Sequence, residues 1–304
     1  MSEAISTQFV VGAYAAVPAD PEPRDEFYRL LAAESWVTGL ELPFPGDLVE
    51  DASGVSARLV PGWTSALTLI PGTMQRVSAD PSFGLASGDD SGRRAALDFV
   101  ERARRGVLDL ADACGRPAVG TVLVHSAPTG RASADAFRRS LDDLRGRDWA
   151  GALLAIEHCD RFDPARACEK GFLSLDTELA VAREVGVGVH LNWGRSCLDD
   201  RDPEAPLDHV RATAAAGLLV GLVFSGASGL PTRYGEAWCD GHLPLSSDEP
   251  ASEMTASHVA ACAAAARTSP VLRYLGAKAC VPSELTPAER VALVRRIYLA
   301  TQPS

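Results

Sequence analysis

Apolar and polar positions alternate in blocks along this chain. Eight short apolar runs recur, at Gln8–Ala16, Val37–Pro43, Ala66–Pro71, Val119–Ser126, Ala152–His158, Val187–Asn192, Leu218–Ser225 and Tyr274–Cys280. Runs of this length, bounded by glycine, proline and polar residues, predict buried strands. Between them, apolar residues recur at helical spacing. Pro21–Ser35 follows Asp20, a capping residue, with proline in the first turn. Gly92–Cys114 closes at Gly115, a helix-ending residue. Ser133–Leu144 opens on a serine cap, and Leu173–Val185 and Leu207–Ala216 stop before glycines. Ser252–Arg267 is alanine-rich, and Thr286–Glu289 forms a capping box with Pro287 at the first helical position. Asp47–Trp63 reads as loop with one short helix.

Strands alternating with helices imply βαβ units and a parallel sheet. Eight such units predict an α/β fold of one kind, a single (β/α)8 TIM barrel filling residues 1–304 as one domain. The competing doubly wound open sheet would place a glycine-rich phosphate turn after the first strand. Ala13–Pro18 carries no such fingerprint. Two connections are too long for simple joints: Pro71–Arg93 after strand three and Gly226–Glu253 after strand seven. The second holds Tyr234, Trp238, Asp240 and His242 within nine residues and reads as a lid, against the plainer alternative of an ordered surface excursion.

A net charge of −11 without a basic stripe argues against a nucleic-acid surface. No run approaches the roughly 20 apolar residues that span a bilayer. Seven scattered cysteines without a CxxC pair fit reduced thiols, and Met1–Gln8 lacks the cationic and apolar regions of a signal peptide. The expectation is a cytoplasmic protein acting on a small molecule, with neither nucleic acid nor membrane as partner; homo-oligomerisation is left open.

Most apolar runs end in a polar or ionisable residue, and in a closed parallel barrel those ends surround one mouth. Glu41, His125, Glu157, His190, Asn192, Ser225 and Lys278 hold such positions. A buried carboxylate is costly unless paired, so Glu157 requires a metal, lysine or arginine beside it. His158 alternates to the opposite face of its strand. His190 and Asn192 share a face, with Arg195 just beyond; a guanidinium there suits an anionic or polyhydroxylated ligand. Lysine occurs only at Lys170 and Lys278. Unlike arginine, a desolvated lysine can lose its proton, so Lys278 is a candidate acid/base or imine-forming amine; the alternative is a fixed cation neutralising Glu157.

The stretches Val11–Gly12–Ala13–Tyr14, Gly39–Leu40–Glu41–Leu42–Pro43, Ile70–Pro71–Gly72–Thr73–Met74 and Ile156–Glu157–His158–Cys159–Asp160 resemble an uncharacterised bacterial family of the xylose-isomerase-like barrels. That superfamily covers sugar-phosphate isomerases and epimerases and a metal-dependent endonuclease branch. The resemblance implies a divalent cation held by Glu on strand five, Asp on strand six, His on strand seven and Glu on strand eight. Glu157 fits the first position, whereas Asn192, Ser225 and Lys278 stand at the other three, and Arg195 replaces a substrate-contacting His. These departures remove two acids and add two cations, so no cofactor is expected at the usual site. A relocated metal would use His125, Glu157 and His190.

The reading that follows is a sugar or sugar-acid isomerase or epimerase working by proton transfer beside a carbonyl. Glu157 and Lys278 are its central pair, His190 or His125 assists, and Arg195 anchors substrate. Glu41, Asn192, Ser225, Trp238, Asp240 and His242 are further substrate contacts. Two alternatives remain open: a lyase or aldolase forming an imine on Lys278, and a non-catalytic carbohydrate-binding barrel that has lost the family metal.

Overall fold

Alternating buried strands and amphipathic helices close here into a barrel. The structure is a computed structural model and describes residues 8–303; Met1–Thr7, part of the segment searched for a signal peptide, lie outside the described residues. The strands are β1 (Gln8–Val11), β2 (Gly39–Pro43), β3 (Ser65–Thr68), β4 (Val119–Val124), β5 (Leu153–Glu157), β6 (Gly188–Asn192), β7 (Leu219–Phe224) and β8 (Tyr274–Ala277). All neighbours are parallel, and β8 returns to pair with β1 so that Val11 lies opposite Ala277. Each strand is short and almost wholly buried, as expected where helices cover one face and barrel filling the other. Among the described residues, no helix is long and apolar enough to cross a membrane.

Val10, Ala66, Val223 and Tyr274 pack together inside the barrel, and Leu123, Ala155 and Val220 form a second interior group. The larger apolar core lies between strands and helices, where Phe27, Leu31, Phe99, Leu110, Phe137 and Ile297 are fully or almost fully buried. The caps read from sequence hold the helices in place. Ser133 accepts from the Ala136 N–H, Gly115 and Gly186 take the left-handed conformation at φ 63° and 78°, and Thr286 and Glu289 cap each other reciprocally.

Three segments differ from the sequence reading. The connection after β3 is no open loop: Ile70–Ala79 is a helix with Pro71 in its first turn, where proline lacks no needed donor. Asp47–Trp63 holds two short helices, Asp47–Glu50 and Ala52–Arg58. Finally, β6 passes without a loop into the helix Trp193–Asp200, because the Asn192 side chain accepts from the Arg195 N–H. The stretch from Gly226 to Glu253 does lack helix and strand. Its base is pinned by paired Gly226–Leu243 hydrogen bonds and by the Cys280 N–H donating to the His242 carbonyl.

Candidate functional site

Inward-facing strand ends build two buried ion-paired clusters at the C-terminal mouth. The first centres on Glu157, at the end of β5 and opposite His190 in the register. Thr68 Oγ1 and His125 Nε2 lie 2.7 Å from its Oε2, and Arg195 reaches Oε1 at 2.5 Å. A carboxylate only accepts, so His125 is the Nε2–H tautomer. Burial pushes the Glu157 carboxyl up, but Arg195 and His125 outweigh it and hold the group well below the usual carboxylate range.

Arg195 extends this cluster into the long connection after β7. Its Nε donates to Asp240 Oδ2 at 3.0 Å, and Lys170 Nζ approaches the same oxygen at 3.3 Å. Asp240 Oδ1 lies 3.1 Å from His242 Nδ1, which is also 2.8 Å from Ser225 Oγ. Burial opposes ionisation of Asp240, yet Arg195, His242 and Lys170 together keep its pKa strongly lowered. Trp238 and His242 both adopt left-handed backbone, at φ 59° and 51°, strain that persists only where surroundings over-determine it. Trp238 packs beside Gly229 and lines a small crevice with Asp160 and Asp199.

The second cluster joins β8, β2 and the turn after β1. Lys278 Nζ donates to Glu41 Oε1 at 2.8 Å and to Tyr14 Oη at 3.0 Å, while the Tyr14 hydroxyl donates to the same Glu41 oxygen at 2.8 Å. Burial works against charge on both partners, but mutual attraction prevails: Glu41 is lowered and Lys278 raised. Gly12 makes this possible, since a Cβ there would stand 2.7 Å from Lys278 Cβ. Gly221 does the same for His190 and Tyr274, whose Nδ1 and hydroxyl lie 2.9 Å apart. Burial lowers the His190 pKa to about 4, so its imidazole is neutral.

The anticipated Glu157–Lys278 contact is therefore replaced by two separate pairs, Glu157–Arg195 and Glu41–Lys278. Sequence reasoning missed Tyr14, Thr68, Lys170 and Tyr274, which complete them. Tyr14 and Thr68 are polar positions inside the first and third apolar runs, a signal that was present. Among the described residues, four buried atoms at this mouth lack a partner: Glu41 Oε2, His125 Nδ1, His190 Nε2 and Asn192 Nδ2. Glu41 and Tyr14 also line a cavity of about 270 Å³ with Tyr28, Arg24 and Arg58, close to the lower end of typical ligand pockets. Another cavity, of about 630 Å³, lies at the opposite end of the barrel among Gln8, Thr64, Val220 and Arg273, where barrels seldom carry chemistry.

The superfamily's metal position does not fit this chain. Both Glu157 oxygens are engaged, the Asn192 Oδ1 caps a helix, Ser225 is bonded to His242, and Lys278 brings a cation of its own. The relocated set fares no better: His125 spends its Nε2 proton on Glu157, and Arg195 holds the oxygen nearest His190 Nε2, 3.9 Å away.

Comparison with known proteins bears on the fold and the family. The family model described as a domain of unknown function (DUF4862) matches residues 10–293. An uncharacterised protein of Salmonella typhimurium is 33% identical over 283 residues, 90% of this chain and 89% of that one. Among solved structures, a D-psicose 3-epimerase crystallised with D-fructose aligns over 97% of this chain and 95% of its own, at TM-score 0.56 and 13% identity. A xylose isomerase-like TIM barrel protein of Mycobacterium smegmatis, in complex with magnesium, aligns over 99% and 100%, at TM-score 0.51 and 12% identity. The fold is thus a closed (β/α)8 TIM barrel of the kind these structures share.

Proposed function

The chain belongs to the DUF4862 family, and on that premise we propose that it is a cytosolic isomerase or epimerase of small sugars or sugar acids, working by proton transfer beside a carbonyl. One observation carries this reading: Glu41 is a buried, ionised carboxylate with an unpartnered oxygen, on the wall of a cavity sized for a small metabolite. Buried polar atoms without partners are uncommon and call for an explanation; a substrate C–H or hydroxyl supplies one.

In this proposal Glu41 Oε2 removes the proton from the carbon next to the carbonyl. Lys278 keeps Glu41 ionised at rest. As negative charge develops on the enediolate oxygen, the ammonium turns toward it, and loss of that contact raises Glu41's basicity as the proton moves. Neutral His190, with Nε2 free, is the second proton site. Glu157 is held by three donors and serves as a fixed anion positioning Arg195. Arg195 is committed to Glu157 and Asp240, so a substrate carboxylate falls to Arg24 and Arg58 on the cavity wall. These roles rest on residues of this chain, and the likeness in fold to a D-psicose 3-epimerase supports them. An imine on Lys278 needs a neutral amine, which Glu41 opposes by raising the lysine pKa.

Incubation with a panel of ketoses, aldoses and their acids in deuterium oxide tests the proposal. Deuterium should appear at the carbon beside the carbonyl with the native enzyme and vanish with Glu41→Gln. Binding without label across the panel would favour a non-catalytic sugar-binding barrel and sink the isomerase reading.

A further inference from the structure

Outside the mouth, the geometry points to a transition-metal site of the zinc class, formed by His158, Asp199 and His209 between β5 and the two helices that follow β6. Among the described residues, these three alone bring ligand atoms within 4.8 Å of one another. His158 succeeds Glu157, so strand alternation turns it outward into the helical layer, where it is fully buried. Its Nδ1 lies 2.6 Å from Glu178 Oε2, and the other Glu178 oxygen accepts from Ser126 Oγ at 2.5 Å. A carboxylate on one imidazole nitrogen orients the ring and strengthens the other nitrogen as a ligand. That other nitrogen, Nε2, is buried, has no hydrogen-bond partner, and lies 3.7 Å from Asp199 Oδ2.

Two more donors converge from the helix Ala205–Ala215 and the end of Trp193–Asp200. His209 Nε2 stands 3.8 Å from Asp199 Oδ2 and 3.8 Å from Asp200 Oδ2. The His158 and His209 rings meet edge to face, centroids 5.5 Å apart. Ligands around a tetrahedral zinc are about 3.3 Å apart, given bonds near 2.0–2.1 Å, so shifts of a few tenths of an ångström bring each histidine nitrogen to ligand spacing from Asp199 Oδ2. Two imidazoles with one or two carboxylates suit zinc or a similar transition metal better than calcium or magnesium. Arg161 competes for Asp199 Oδ2 at 2.8 Å, but its side chain is 35% exposed and also bonded to Asp200, so it can swing outward. A metal here clips β5 to the helix that carries Arg195 on its first turn, and acts as a positioning centre remote from the carbonyl chemistry.

The test uses the full chain, stripped with a chelator and titrated with zinc or cobalt(II). One equivalent should bind, and the cobalt form should show visible absorption bands of a four-coordinate site with nitrogen ligands. His209→Gln, on a partly exposed helix face, should weaken zinc binding at least a hundredfold while the fold persists by circular dichroism. Asp199→Asn should do likewise. Absence of stoichiometric binding by the native chain, or binding indifferent to His209→Gln, would overturn the site and leave His158 as a structural bridge between Glu178 and Asp199.

Discussion

Lys278 pairs with Glu41 and not with Glu157: its ammonium lies 2.8 Å from Glu41 Oε1, while Arg195 occupies Glu157 Oε1 at 2.5 Å. Both pairs are buried, so each partner's charge is tolerated only because the other is present. Removing one partner should therefore cost more than removing both. Lys278→Met is expected to destabilise the barrel by about 3–5 kcal/mol, and Glu41→Gln combined with Lys278→Met should recover a large part of that loss. Urea denaturation of the two variants against the native chain measures the coupling. Additive losses would mean that the pair is not the unit described.

Arg195 ties the barrel to the connection after β7, held by Glu157 on one side and Asp240 on the other. Arg195→Lys keeps the charge but loses the planar fork that spans both acids. Amide hydrogen exchange across Tyr234–His242 should accelerate at least tenfold, with the β-strands protected as before. Unchanged protection in this connection would show that backbone pinning at Gly226 and His242 suffices.

The lysine stem runs against Gly12, where an added Cβ would approach Lys278 Cβ to 2.7 Å. Gly12→Ala should thus act as an overpacking change, costing about 1–3 kcal/mol and displacing the ammonium from Glu41. In the deuterium-exchange assay its activity should fall along with that of Lys278→Met, although Gly12 itself bears no functional group.

His190 gives a pH dependence with a defined sign. Burial depresses its folded pKa to about 4 from an ordinary 6.5, so between those values the unfolded chain binds the additional proton. Stability then rises with pH across that window and falls as acid is added. At about 1.4 kcal/mol per pH unit, the displacement is worth on the order of 3 kcal/mol. His190→Gln lacks this term, so its deficit relative to the native chain should shrink by that order between pH 7 and pH 4. A constant deficit would contradict the assignment.

The barrel was legible because its signals are local. Apolar runs of strand length, capped helices and glycine stops each sit within a few residues, and Gly115, Ser133 and Thr286 behave as their chemistry requires. The mouth was partly legible, since Glu41, Glu157, His190 and Lys278 each end or follow an apolar run. Which acid meets which cation was not. Glu41 and Lys278 are 237 residues apart in sequence, and two acids with two cations allow either pairing until side-chain reach and register are fixed. The Ile70–Ala79 helix escaped because Pro71 reads equally as a strand end or a first-turn residue. Asn192 reads from the sequence as a substrate contact standing where the resembled family has an acid; its oxygen caps the helix that follows, which strand alternation alone does not reveal.

Since β8 seals the barrel against β1 and bears the ammonium that Glu41 needs, the chemistry of the mouth exists only after the last rung docks. During vectorial synthesis Glu41 stays uncompensated until Lys278 has been made, so ring closure and assembly of the proposed centre are one event. A nascent chain stalled before Tyr274 is then expected to bind no substrate, however much of the cylinder has already condensed.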